Sequence, residues 1–407
     1  MPAIPEYVVV YVALAKIGAI AAGVNPRLSP RERNAVLQTA EPKLVLATGD
    51  LAPPDDAGVD WEEVERAAGR KAILENLRDR EGDQSLVGDD PQRAVAIVFT
   101  SGTTGVPKGA LFCNRQLSSI TSIDVGPRWG GGGRALASTA LTHLGPMTKL
   151  PGNLQRGVTT HMTDRWRASE ALAFVVEHKG TNIGGIPTQV ALMLRVPDFE
   201  SYDLSSLRSI VIGGGPATPA LVREARERFG TPLAVRYSCT EAAIGIGTAL
   251  DDPPEDAEET VGRPLPGVVL SLLDDEDRPV PPGEVGSVCL KSPAVMSGYF
   301  HDVEATAAVF TADGSVRTGD LGWLDELGRL HLAGRTKEMY VRGGYNVYPV
   351  EVEAVLSEHP AIAAMAVVGR TDQVMGELGV AVVVPRQGFA PPSLEELRTF
   401  GDAKLAR

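Results

Sequence analysis

Residues 99–109 read Phe-Thr-Ser-Gly-Thr-Thr-Gly-Val-Pro-Lys-Gly. Thr100, Ser101, Thr103 and Thr104 supply hydroxyls, Gly102 and Gly105 supply bare backbone, and Lys108 supplies one cation. Glycine lets a chain adopt positive φ and approach a ligand closely. Free N–H groups, hydroxyls and a single ammonium suit a polyphosphate. The spacing is not that of the P-loop, in which the lysine directly follows the second glycine and a helix starts there. Here Val106 and Pro107 intervene, and Pro107 disfavours helical backbone at Val106. The expectation is a loop between two strands, Ala94–Phe99 before it and one starting at Ala110-Leu111-Phe112 after it. The plain alternative is a glycine-rich hairpin with a solvated lysine.

Four further stretches carry chemistry. In Tyr237-Ser238-Cys239-Thr240-Glu241, the tyrosine can stack on a purine, Thr240 can bond a phosphate oxygen and Glu241 can hold Mg²⁺ through hard oxygen. The same residues also fit a strand end with a helix cap, Glu241 complementing the dipole. Asp320, in Arg317-Thr318-Gly319-Asp320-Leu321, can accept two hydrogen bonds from a cis-diol, or it can stabilise a turn. Gly213-Gly214-Gly215-Pro216 follows an apolar strand and either admits an adenine edge or makes a tight turn into a helix. His143 stands at a strand end, where a lone histidine is most often structural.

Taken in chain order, the motifs resemble those of the adenylate-forming (ANL) superfamily: acyl-CoA synthetases, aryl-CoA ligases, peptide-synthetase adenylation domains and beetle luciferases. The resemblance covers nearly the whole chain. It implies that Thr100, Ser101, Gly102, Thr103, Thr104, Gly105 and Lys108 hold phosphates, and that His143 lies near the acyl carboxylate and moves between half-reactions. It implies that Gly214, Gly215 and Pro216 border the adenine. Residues 237–241 match the family's Tyr-Gly-x-Thr-Glu motif, with Ser238 in place of the usual glycine. By the same resemblance Asp320 takes the ribose, Arg335 reaches ribose or phosphate, and Lys337 is the hinge. Gly343 and Gly344 then line a pantetheine tunnel after rotation.

The implied reaction joins a carboxylic acid to MgATP, giving acyl-AMP and diphosphate, after which CoA displaces AMP. Its substrates and cofactors are ATP, Mg²⁺ and CoA, and its catalytic set is Lys108, His143, Thr240 and Glu241. Two rivals stand beside it. One is an adenylating enzyme that loads a carrier protein or oxygen; the other is a non-catalytic nucleotide- or acyl-binding homologue. Compared with the family pattern the chain reads as short at both ends. The lysine usual near the end of the small domain is missing, and Lys404 stands in a different context. The expectation is a fragment, or a natural chain impaired in its first step.

These residues need a scaffold to position them. Alternating helix and strand patterns predict an α/β fold. The expectation is a large N-terminal domain of stacked α/β sub-domains, with a small β-barrel-like part around residues 265–290. A small α+β C-terminal domain, incomplete, follows. The boundaries are 1–334 and 335–407. Predicted helices include Tyr7–Ile20, one capped by Ser29 with Pro30 in its first turn, one near Trp61–Ala67, Ala168–Lys179, Pro219–Phe229 and Val350–Glu358. The length of 407 residues and 43% hydrophobic content suit a multi-domain globular protein. A net charge of −13 argues against a general nucleic-acid or anionic-membrane binder, so ATP needs a local site. Cys113, Cys239 and Cys289 have no metal-ligand spacing and read as reduced thiols of a cytosolic protein. Val8–Ala22, broken by Lys16, is too short to span a membrane. The reading is compatible with a homodimer.

Overall fold

Pro5 opens the first helix, Pro5–Ile17, and Gly18 ends it in the left-handed region at φ 77°. The helix was expected to reach Ile20. Instead the chain turns at Gly18, and β1 (Ala21–Ala22) pairs in parallel with Ala96 and Ile97. In this computed structural model residues 1–53, 57–64, 86–100 and 107–402 are described. Ser101, Gly102, Thr103, Thr104, Gly105 and Lys404 therefore lie outside the described residues.

Ser29 caps the helix Pro30–Ala40 as expected. Its Oγ accepts from Glu32 N at 3.3 Å, and the Glu32 carboxylate accepts from Ser29 N at 2.8 Å. β2 (Val45–Ala47) pairs in parallel with β3 (Trp61–Glu63). The helix expected near Trp61–Ala67 thus starts as an exposed strand, because pairing with β2 overrides local propensity; residues 65–67 lie outside the described part.

The apolar run before the phosphate loop becomes β4 (Ala94–Thr100), with Val95, Ala96, Ile97 and Val98 buried. β5 (Lys108–Cys113) returns antiparallel, setting Thr100 opposite Lys108. Strands therefore flank residues 101–106 on both sides, as expected, and no helix begins at Lys108.

A second sheet contains β6 (Arg134–Leu136), β7 (Thr159–His161), β8 (Asn182–Gly185), β9 (Ser209–Gly213), β10 (Leu233–Tyr237), β11 (Ile246–Gly247) and β12 (Arg263–Pro264). Its order is β12-β11-β10-β9-β8-β6-β7, and neighbours from β7 to β10 are parallel. Helices Ala168–His178, Pro187–Leu194 and Pro219–Phe229 pack on it through Leu172, Val190, Met193 and Val222, against Ile210 and Ile212. The strand order reverses between β6 and β8. In such sheets, ligands bind outside the carboxyl ends of the strands at this reversal.

The barrel-like part is an antiparallel sheet of β13 (Val269–Leu273), β14 (Gly286–Lys291), β16 (Val316–Leu324) and β17 (Leu330–Arg335), in that order. Between β14 and β16, β15 (Gly298–Tyr299) leaves to pair with β5. Leu290 and Leu330 share one buried cluster with Ala242 and Ile246 of the large sheet's loop and strand.

The small C-terminal part holds β18 (Tyr340–Arg342), β19 (Tyr345–Val347), β20 (Ile362–Asp372) and β21 (Gly376–Pro385), ordered β19-β18-β21-β20. Helices Pro349–Leu356 and Leu394–Gly401 accompany them. The expected boundary at 334/335 falls at the last residue of β17. Among the described residues no helix is long and apolar enough to cross a membrane.

Candidate active site

β6, β8 and β9 are neighbouring parallel strands, so their carboxyl ends lie side by side. Gly184 is needed there, because a Cβ would lie 2.1 Å from the Val211 carbonyl oxygen. Gln189 ties two walls together: its Nε2 donates to Ser138 O at 2.7 Å and its Oε1 accepts from Ile186 N at 3.1 Å. The turn at Gly214, Gly215 and Pro216 is exposed, with Gly214 at φ 76°. A Cβ on Gly215 would touch Pro187 at 3.4 Å, so this turn lies directly against the next one.

His143 precedes the short helix Leu144–Thr148, beyond the end of β6. Asn25 Nδ2 stands 3.4 Å from its Nε2. Its ring keeps access to solvent, yet packing on its flank and then the Arg27 guanidinium hold its pKa below the ordinary histidine value. The imidazole is neutral at pH 7.

Tyr237, the last residue of β10, aims its hydroxyl across the domain. It donates to Asp320 Oδ2 at 2.7 Å and lies 3.1 Å from Thr318 Oγ1. Arg335 Nε donates to Asp320 Oδ1 at 3.2 Å from the neighbouring strand, where Asp320 and Arg335 are register partners. Asp320 is therefore an inward-facing residue of β16, and the turn alternative does not apply. A carboxylate has about four lone-pair sites, so two remain for a diol. Burial and then the Asp320 charge push the Tyr237 phenol far above its usual pKa, so it stays a donor.

Thr240, Glu241 and Ala242 form a turn, with Ala243 left-handed at φ 62°. β11 follows, and no helix starts there, so the helix-cap alternative also falls. Glu241 Oε1 accepts from the Tyr299 hydroxyl at 2.5 Å. On the face of the same ring, Lys108 Nζ lies 5.2 Å from the centroid. At the loop's root, Thr100 Oγ1 donates to Lys108 O at 3.5 Å.

Over residues 1–300 the chain matches the family of AMP-binding enzymes, and over residues 351–407 it matches that enzyme's C-terminal domain. The chain belongs to the AMP-binding enzyme family. It is 34% identical over 400 residues to an indoleacetate–CoA ligase of Aromatoleum aromaticum, covering 94% of this chain and 77% of that one. It is 31% identical over 414 residues to a fatty acid–[acyl-carrier-protein] ligase of Streptomyces coeruleorubidus, covering 98% and 79%. Among solved structures it is similar to the amide bond synthetase McbA of Marinactinospora thermotolerans. That match has a TM-score of 0.88 and 31% identity over 99% of this chain and 82% of that one.

The residues of this AMP-binding enzyme fit Mg²⁺ as it accompanies a nucleotide. Among the described residues no three His, Cys, Asp or Glu side chains gather into a protein-only cage. Mg²⁺ on nucleotides ordinarily needs only one or two carboxylates plus substrate phosphates, and the Glu241 carboxylate is a group of that kind. The structure thus brings Tyr237, Asp320 and Arg335 together, and joins Lys108 to Glu241 through Tyr299. Gly343 and Gly344 form the tip of the β18–β19 hairpin at φ 59° and 89°, where Gly343 N donates to Met375 O at 2.7 Å. Lys337 sits in the turn after β17. Sequence reasoning passed over Tyr299. It has no motif spacing of its own, and only the register of β15 on β5 reveals it.

Proposed function

We propose that this AMP-binding enzyme is an ATP-dependent acid–thiol ligase that converts a fatty or related carboxylic acid to its CoA thioester, releasing AMP and diphosphate. One observation supports it above the others. The contacts Lys108–Tyr299–Glu241 and Tyr237–Asp320–Arg335 are joined through the short step from Tyr237 to Glu241. A nucleotide along that line sets its ribose at Asp320 and its phosphates at Lys108.

In the first step a carboxylate oxygen bonds to the α-phosphorus. The bond from that phosphorus to the bridging oxygen breaks, and diphosphate leaves with the electron pair. Lys108 and the loop at 100–105 neutralise charge moving onto the leaving group, and Thr240 holds an α-phosphate oxygen. Fixed donors of this kind act by positioning and electrostatics. The substrate's Mg²⁺, when bound, supplies further charge neutralisation, and Glu241 is the residue that holds it. Neutral His143 meets the acid at the sheet reversal without repelling the adenine side. In the second step the CoA thiol gives its proton to solvent and its sulfur bonds to the acyl carbon; the bond from that carbon to the phosphate oxygen breaks, and AMP departs with the electron pair. Rotation of residues 335–407 about Lys337 brings Gly343 and Gly344 to the pantetheine arm, a gating role. A cytoplasmic location and a homodimer complete the proposal.

ATP–diphosphate exchange, run over carboxylates graded by chain length and ring type, tests the first step. Exchange above background with at least one acid is expected; none with any acid, from folded protein, contradicts it. A second reading, in which a carrier protein's pantetheine accepts the acyl group, draws on the similarity to the acyl-carrier-protein ligase. AMP release with free CoA against AMP release with a carrier protein separates the two.

A further inference from the structure

Tyr299 belongs to none of the glycine-rich or acidic motifs, yet it touches both Glu241 and Lys108. The chain around it is pinned on each side. Ser297 N donates to Leu111 O at 2.8 Å and Phe300 N donates to Gly109 O at 2.7 Å, fastening β15 to the strand that begins at Lys108. Tyr299 N donates to Thr306 Oγ1 at 2.8 Å. Gly298 allows this close approach: its φ is 144°, and a Cβ there would lie 2.9 Å from the Thr306 methyl. From the other side, Met296 N donates to Glu241 O at 2.9 Å. One short segment, 296–300, therefore fixes how far Glu241 stands from Lys108.

The two contacts differ in kind. The phenol donates to a carboxylate, a charge-assisted bond that fixes the carboxylate's orientation. The ring face attracts the ammonium through its quadrupole, within the usual 6 Å reach. That attraction is weak beside the charge of a triphosphate, so it guides Lys108 without retaining it.

We propose that Tyr299 is a positioning residue for MgATP: its hydroxyl orients the Glu241 carboxylate towards the cation, and its ring orients Lys108 towards the phosphates. This rests on the ligase reading given above. Residues that orient a metal-binding carboxylate commonly change metal affinity about 10- to 100-fold when removed.

The test uses Tyr299→Phe, which keeps the ring and loses the hydroxyl, and Tyr299→Leu, which loses both. Two readouts are taken: ATP–diphosphate exchange against Mg²⁺ concentration, and Mn²⁺ uptake by the protein–ATP complex, followed by electron paramagnetic resonance. Tyr299→Phe should raise the half-saturating Mg²⁺ and Mn²⁺ concentrations about 10-fold, with a smaller loss of rate at saturating metal. Tyr299→Leu should in addition raise KM for MgATP. A purely structural tyrosine would lower Tm and kcat without moving the metal dependence. If Tyr299→Leu does not fold, Tyr299→Phe decides alone. Unchanged metal dependence in Tyr299→Phe, beside an active wild type, overturns the positioning role and leaves the ligase reading intact. A wild-type protein that neither exchanges diphosphate nor takes up Mn²⁺ with ATP overturns the ligase reading, and this role with it.

Discussion

The Tyr237 hydroxyl donates to Asp320 Oδ2 at 2.7 Å although 83 residues separate the two in sequence. The contact joins the last residue of a parallel strand to the middle of an antiparallel one. It therefore couples the large sheet, whose end holds the turn at Gly214, Gly215 and Pro216, to the sheet that carries the proposed ribose contact. Neither residue reaches this geometry without the other's sheet being folded.

Asp320→Ala should weaken ATP binding. A lost hydrogen bond to a charged group costs about 1.5–3 kcal/mol, which is about 10- to 150-fold in KM for ATP. Tyr237→Phe should fall short of that, because the Arg335 contact at 3.2 Å still orients the carboxylate. Initial-rate kinetics at varied ATP checks both. Equal effects of the two variants would mean that the tyrosine, not the carboxylate, meets the sugar.

Glu241→Gln should lower exchange about 100-fold or more, since a neutral amide cannot replace a charged ligand at the triphosphate. Tyr299 can still donate to the amide oxygen, so the fold should survive, as a melting curve will report. By contrast, a surface change such as Trp61→Ala on β3 should alter rates less than about threefold. Comparable losses at both places, in folded protein, contradict the site.

The pH response of His143 has a definite sign. Its folded-state pKa lies below the ordinary 6.5, from packing first and then from Arg27. The unfolded state thus binds more protons below pH 6.5, so this histidine's contribution is fully present above that value. The contribution is lost as pH falls from there through the folded pKa. Exchange should therefore hold level from pH 8 to below 6.5, and Arg27→Leu should shift the acid limb upward. A pH profile of kcat/KM for the acid measures it. An unmoved limb in Arg27→Leu shows that another group titrates.

Asp256 illustrates stability without function. Its side chain is 3% exposed and accepts from Arg263 and Arg329 at 2.7 Å each. It binds the helix Pro254–Glu259 to the start of β17. Asp256→Ala removes two charge-assisted contacts, but Arg263 is 41% exposed and Arg329 keeps Asp325, so it should cost about 1–3 kcal/mol of folding stability. Chemical denaturation reads that loss, while KM for ATP should stay unchanged in the folded fraction.

Local signals were legible where one element carried its own start and stop. Thr218 accepts from Leu221 N at 3.3 Å and Gly230 turns left-handed, so the helix Pro219–Phe229 lies where the sequence puts it. β4 follows from an unbroken apolar run, and the start of a strand, not a helix, at Lys108 from Pro107. Signals failed where pairing was remote. Ala21–Ala22 looks like the end of an apolar helix until β4 takes it as a partner. Trp61–Glu63 has no apolar alternation and is a strand only because β2 lies beside it. The site divides in the same way. Asp320 and Glu241 stood out by residue type and motif, but the Arg335 register and the Tyr299 bridge depend on which strands meet.

The central claim is that a nucleotide runs from Asp320 to Lys108. A crystal structure with a non-hydrolysable ATP analogue and Mg²⁺ tests it most directly. The account predicts ribose hydroxyls within hydrogen-bond reach of the Asp320 carboxylate, and the triphosphate beside Lys108 and Glu241. A nucleotide bound elsewhere, or one lying across this line with its sugar away from Asp320, would contradict it.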